Sequence, residues 1–192
     1  MKRKSLLLLA LPFALFACNN EAKDSVEQAD SANQAKLDSN GVGGQTITTD
    51  ENTTNFLVKA ADGGMAEVQM AQLAEQKGSN AQVKGYASML VNDHSAANGQ
   101  VKSFASARNV TLPDSVSDMH KRHMNDLTKK SGKDFDKAYM DMMVDDHEKD
   151  ISMFKDASDD VKDAEVKTFI DNTIPKLQMH LDSAKAIQKR LK

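Results

Sequence analysis

Tryptophan is missing from this chain of 192 residues, and tyrosine occurs twice, proline three times and cysteine once. So few flat rings leave little with which to stack sugars or bases. A lone cysteine, Cys18, excludes an intrachain disulfide, so an exported domain of this composition is held by burial alone. An excess of positive charge is missing too. The formal net charge is −3 and becomes three units more negative if Lys2, Arg3 and Lys4 leave with a leader, which argues against a nucleic-acid partner. No glycine-rich phosphate loop, Ser-His-Asp arrangement or second thiol is present, so nucleotide hydrolysis and thiol chemistry have no visible apparatus and no catalytic residue is assigned. Prolines at positions 12, 113 and 175 leave long stretches free for helix, and the expected class is all-α, with one ordinary domain plus extras.

What is present begins with an address. Met1 to Lys4 is basic, residues 5–16 are almost wholly apolar, and Ala17 precedes Cys18. This is the charge, apolar core and cleavage site of a signal peptide. The apolar run is too short to span a bilayer, which takes roughly 20 residues. Leu15-Phe16-Ala17-Cys18 resembles a bacterial lipobox, although Phe16 is bulkier than the usual residue there. Residues 1–17 are therefore expected to be a lipoprotein signal peptide and Cys18 a lipidated N-terminus, anchored by about 0.8 kcal/mol per buried methylene. Residues 18–51 are expected to form a flexible linker, because Val26, Leu37, Val42 and Ile47 are the large apolar residues after Cys18 and cannot offset the entropy of ordering.

From Asn52 the apolar residues recur with helical period. A first helix is expected to about Lys77, with Phe56, Ala60, Gly64, Glu67, Ala71 and Ala74 on one stripe, and a second over about 80–108 with Val83, Ala87, Leu90, His94, Ala97, Val101 and Phe104. A shorter one, capped by Asp114 or Ser115, carries Val116, Met119, His123 and Leu127 and ends at Ser131-Gly132. Two more long helices are expected over about 133–157, aligning Met140, Met143, Val144, His147, Ile151 and Phe154, and about 164–191, aligning Val166, Ile170, Leu177, His180, Ala184 and Ile187. Pro175 is expected to kink the last one.

Each long helix carries one ionisable residue in its apolar stripe: Glu67, His94, His147 and His180. In an antiparallel hairpin two residues are level when equally far from the turn. The midpoint of Glu67 and His94 falls beside the Gly78-Ser79-Asn80 turn, and that of His147 and His180 falls at Asp163, so each pair is expected at a common height. Whether the two hairpins share that height does not follow from spacing.

Buried ionisable groups persist when paired, hydrogen-bonded or bound to a cation. One carboxylate and three imidazoles suit a mononuclear Zn, Fe, Mn or Cu site; the other reading is a polar layer in which Glu67 accepts hydrogen bonds from histidines. A ferritin di-iron centre needs Glu-x-x-His on two helices, and Val91, Val144 and Leu177 stand where those glutamates belong. Asp93 and Asp146 are expected on the polar face or orienting an imidazole from behind. Met140, Met142, Met143 and Met179 lie near the seam histidines and offer soft thioethers for Cu(I), or simply core filling. His120 and His123, beside Lys121 and Arg122, and the run Asp141, Asp145, Asp146, Glu148, Asp150 are expected on solvated faces.

Gly63-Gly64-Met65-Ala66-Glu67, the stretch Met89 to Asn98 around His94, Phe135-Asp136-Lys137-Ala138-Tyr139 with His147, and Pro175-Lys176-Leu177-Gln178-Met179-His180-Leu181 resemble domain-of-unknown-function family 4142, over about 52–191. The resemblance implies a ferritin-like antiparallel four-helix bundle in residues 52–192, with an extra short helix in its central connection, exported to the bacterial envelope and often lipid-anchored. It places Glu67, His94, His147 and His180 on motif positions. The expectation is a lipid-anchored protein, outer membrane facing periplasm, binding one transition metal in its core for storage, sensing or stress protection. The alternative is a metal-free helical module meeting an envelope protein partner.

Overall fold

The computed structural model describes residues 23–38 and 46–191, so the expected leader and Cys18 lie outside the described residues. Among these, six helices and no strand occur: α1 (Ser25–Asp38), α2 (Glu51–Lys77), α3 (Ala81–Ala107), α4 (Asp118–Thr128), α5 (Gly132–Asp160) and α6 (Ala164–Arg190). None of them is long and apolar enough to cross a membrane.

Local chemistry sets the ends of the long helices. Asp50, Asn80 and Asp163 lend side-chain oxygens to the first free amides of α2, α3 and α6. At Gly78 the chain leaves α2 so tightly that an added Cβ would stand 2.6 Å from the Ala74 carbonyl. Asp136, near the start of α5, is buried and accepts from Ser79 N–H (2.9 Å), Asn80 N–H (2.9 Å) and the Ser79 hydroxyl, tying the α2–α3 turn to α5.

These ties fix the topology. Asp136 brings the end of α2 to the start of α5, and Asn52 at the start of α2 bonds Asp160 at the end of α5. Arg108, just past α3, grips Asp163 in a two-point pair at 2.6 and 2.7 Å before α6. Neighbouring helices therefore run antiparallel around the ring α3, α2, α5, α6, and residues 108–131 travel the length of the bundle with α4 laid against α2 and α5. Phe56, Phe154, Phe169 and Phe104 form an aromatic layer toward one end, and Tyr86, Tyr139 and Phe135 one toward the other. The four seam residues lie between.

Several boundaries differ from expectation. The linker is not a free tether over 25–38: Asp24 caps α1, and Asn33 exchanges two hydrogen bonds with the Thr111 backbone at 2.7 and 2.8 Å. Ser25 pairs with Asp114 and Ala29 is buried, so polar contacts supply what few apolar residues do not. α4 begins later than expected, capped by Ser117, which turns Met119 outward. It ends at Thr128, and Gly132, at φ +55°, opens α5 rather than closing α4. α5 continues through the expected loop to Asp160, and α6 runs on through Pro175.

Candidate metal centre

α2, α3, α5 and α6 each deliver one seam residue to the same level, so the two hairpins do share a height. Glu67 Oε2 lies 2.7 Å from His94 Nδ1, and Glu67 Oε1 lies 3.2 Å from His147 Nδ1. The rings of His94, His147 and His180 stand 5.3–5.6 Å apart, centre to centre. All four residues are buried, His147 completely.

Each ring has one nitrogen engaged and one bare. His94 Nδ1 meets Glu67; His147 Nδ1 donates to the Met143 carbonyl at 2.9 Å; His180 Nε2 donates to Asp93 Oδ2 at 2.9 Å. What remains is His94 Nε2, His147 Nε2 and His180 Nδ1, all buried and without a hydrogen-bond partner. One ligand nitrogen from each of the three rings lies within 4.8 Å of the others. Leaving a buried polar group unpaired costs about 1–3 kcal/mol, and one unpaired nitrogen on each of three adjoining rings is a pattern that a metal ion satisfies. Asp93 holds the far side of its ring as carboxylates do behind metal-ligating histidines, and Glu67 does so for His94.

Burial pushes the Glu67 carboxyl up to about 7, against the pull of His147. Burial likewise lowers His94, His147 and His180, keeping the imidazoles neutral as coordination requires. A cation among the rings favours the ionised form of Glu67 and so the tautomer that bares Nε2 of His94.

The seam residues thus meet, with a division of labour that spacing did not supply: the three imidazoles face one another and Glu67 sits behind two of them. Asp93 orients His180. Asp146 has one oxygen 3.7 Å from Lys149 and the other buried and unpaired. Asp150 leaves the expected solvent face and lines a cavity with Glu67 and His94, because it stands one turn beyond His147 on the same side of α5. Its pKa is raised, by burial and then by Glu67. Met140 and Met143 fill the core, whereas Met179 is 47% exposed. His120 is not on a solvated face: its Nδ1 lies 3.0 Å from Asp62 Oδ2, and Asp62 Oδ1 accepts from Ser117 N–H at 2.7 Å.

The profile of the family described as "Domain of unknown function (DUF4142)" matches residues 38–187. The chain belongs to this family. Among curated proteins none matches. Three solved structures are similar: CopM in the Cu(II)-bound form (TM-score 0.63, 16% identity, 73% of this chain and 97% of that one), in the Cu(I)-bound form (0.62, 15%, 72% and 96%) and in the Ag-bound form (0.61, 15%, 72% and 96%). At that identity the likeness concerns the fold, an all-α bundle shared over nearly the whole of CopM.

Proposed function

We propose that this DUF4142 protein binds one transition-metal ion in its bundle core through His94, His147 and His180, with Glu67 and Asp93 holding His94 and His180 from behind, for storage, sensing or stress protection. The observation that carries the reading is three buried histidines, each with one buried, unpartnered ring nitrogen, whose rings each offer a nitrogen within 4.8 Å of those of the other two. Imidazole donors suit Zn, Cu, Fe and Ni, with metal–nitrogen bonds of about 2.0–2.1 Å for zinc. Copper is the first ion to test, since the similar structures are of a protein in copper- and silver-bound forms. The ion would cross-link three helices, α3, α5 and α6, and hold a fixed charge between two aromatic layers.

Elemental analysis of tag-free protein after titration and dialysis tests this. One retained ion per chain is expected, and none in the His94→Ala, His147→Ala double variant. Retention of no ion by the native chain refutes the reading. We further propose that Cys18 is lipidated and anchors the bundle at the outer membrane facing the periplasm; a mass of the mature N-terminus lacking acyl groups overturns this.

A further inference from the structure

The three bare nitrogens are shut off from solvent, so an ion must reach them by a passage. A cavity of about 160 Å³ is lined by His94 and His180, and His147, fully buried, packs against both rings. Its wall carries three carboxylates, Glu67, Asp93 and Asp150, against one cation, Lys176. Glu67 is engaged with His94 and Asp93 with His180, whereas Asp150 makes no hydrogen bond or ion pair among the described residues. Gly63 on α2 faces Asp150: an added Cβ would lie 3.8 Å from Asp150 Oδ1, in ordinary contact.

We propose that this cavity is the loading passage for a transition-metal cation and that Asp150 receives the ion on its way to the three imidazoles. The inference rests on the metal-binding reading above and adds a second, transient binding position to it. A cleft with more acidic than basic groups between low-dielectric walls favours the entry of cations, and an ion arriving at Asp150 displaces the proton that burial favours there. A lone carboxylate oxygen is also a weaker holder of borderline ions than three imidazole nitrogens, so transfer from Asp150 to the rings runs downhill. Asp93, 34% exposed and bonded to His180, sits where the passage meets solvent and fixes the ring that the ion must pass.

Stopped-flow mixing of apoprotein with Co(II), followed by its visible absorption, reads the loading rate, and a chelator chase reads release. Asp150→Asn is expected to slow loading about tenfold or more, with one ion per chain still retained at the end. Asp150→Glu keeps the carboxyl group and restores the rate, while Asp145→Asn, an exposed acid on the same helix, leaves the rate unchanged. Ala97→Leu, which narrows the cavity, slows loading and release together; if it does not fold, the isosteric Asp150→Asn decides alone. Loading of Asp150→Asn at the native rate overturns the passage while leaving the imidazole site standing. Loss of retained ion in Asp150→Asn also overturns it, because Asp150 would then be a resting ligand. Failure of the native chain to retain Co(II), Cu or Zn removes the site itself and the passage with it.

Discussion

A neutral imidazole carries one N–H and one lone pair, and the neighbour that accepts the N–H decides which nitrogen is left to bind a metal. In this bundle three neighbours make that choice: Glu67 for His94, the Met143 carbonyl for His147 and Asp93 for His180. Glu67→Gln preserves volume but offers an amide in place of a carboxylate, so the bare nitrogen of His94 is no longer fixed. Metal affinity should fall about 10–100-fold, read by competition with a chromophoric chelator. The nitrogen pattern in the Cu(II) electron paramagnetic resonance spectrum should stay that of three imidazoles. A change in ligand count instead would make Glu67 a direct ligand. That Glu67, His94, His147 and His180 point into the bundle was legible in the sequence, since a titratable residue in an apolar stripe has nowhere to point but inward; that both hairpins bring them to one level was not. Their separate roles were not, because they depend on which oxygen and which ring nitrogen face each other. Asp150 was hidden for a related reason: a carboxylate one turn from His147 reads as part of an acidic face until the packing of α2 and α3 shows which side is covered.

Elements without an apolar stripe are held here by directed polar contacts, and those contacts make α1 and α4 separately testable. Asn33 both donates to and accepts from the Thr111 backbone. Asn33→Ala should cost about 1–3 kcal/mol and raise hydrogen exchange at the Thr111 amide without changing metal binding. α4 is held to α2 by Asp62, His120 and Ser117. Burial works to raise Asp62, but hydrogen bonds from His120 and Ser117 outweigh it and hold the carboxyl below 3.8. Burial works to lower His120, but its bond to Asp62 outweighs that and holds the imidazole above 6.5. The contribution of Asp62 is therefore present above 3.8 and lost as pH falls through its folded value; that of His120 is full below 6.5 and lost as pH rises through its folded value. Asp62→Asn keeps the acceptor for Ser117 N–H and removes the charge. The melting-temperature gap between native protein and this variant should be wide near pH 5 and narrow as pH rises through the raised folded value of His120; a gap independent of pH contradicts the clamp. Periodicity disclosed the four long helices because each buries a continuous apolar stripe. It missed α1, whose hold on the bundle lies in Asn33 and Ser25, and misplaced α4, whose register follows the Ser117 cap rather than Val116.

Across the whole molecule the seam residues come from both hairpins, α2–α3 and α5–α6, which meet through the packing of α2 on α5 and α3 on α6. An ion held by His94, His147 and His180 therefore joins the hairpins as well as filling a polar gap, and its binding energy becomes folding energy wherever the unfolded chain binds it less well. At free ion about 100 times the dissociation constant the stabilisation is about 2.7 kcal/mol. A domain of this size shifts its melting point by about 2–4 °C per kcal/mol, so loading should raise it by about 5–10 °C. His180→Ala, which removes the one ligand on α6, should abolish most of that rise, as should His94→Ala on α3, although these two residues sit on different hairpins. Calorimetry with and without the ion decides between a site that spans the bundle and one contained in a hairpin. If a pair confined to α5 and α6 carried the affinity, His94→Ala would keep the full rise, and the convergence of three rings would be packing rather than coordination.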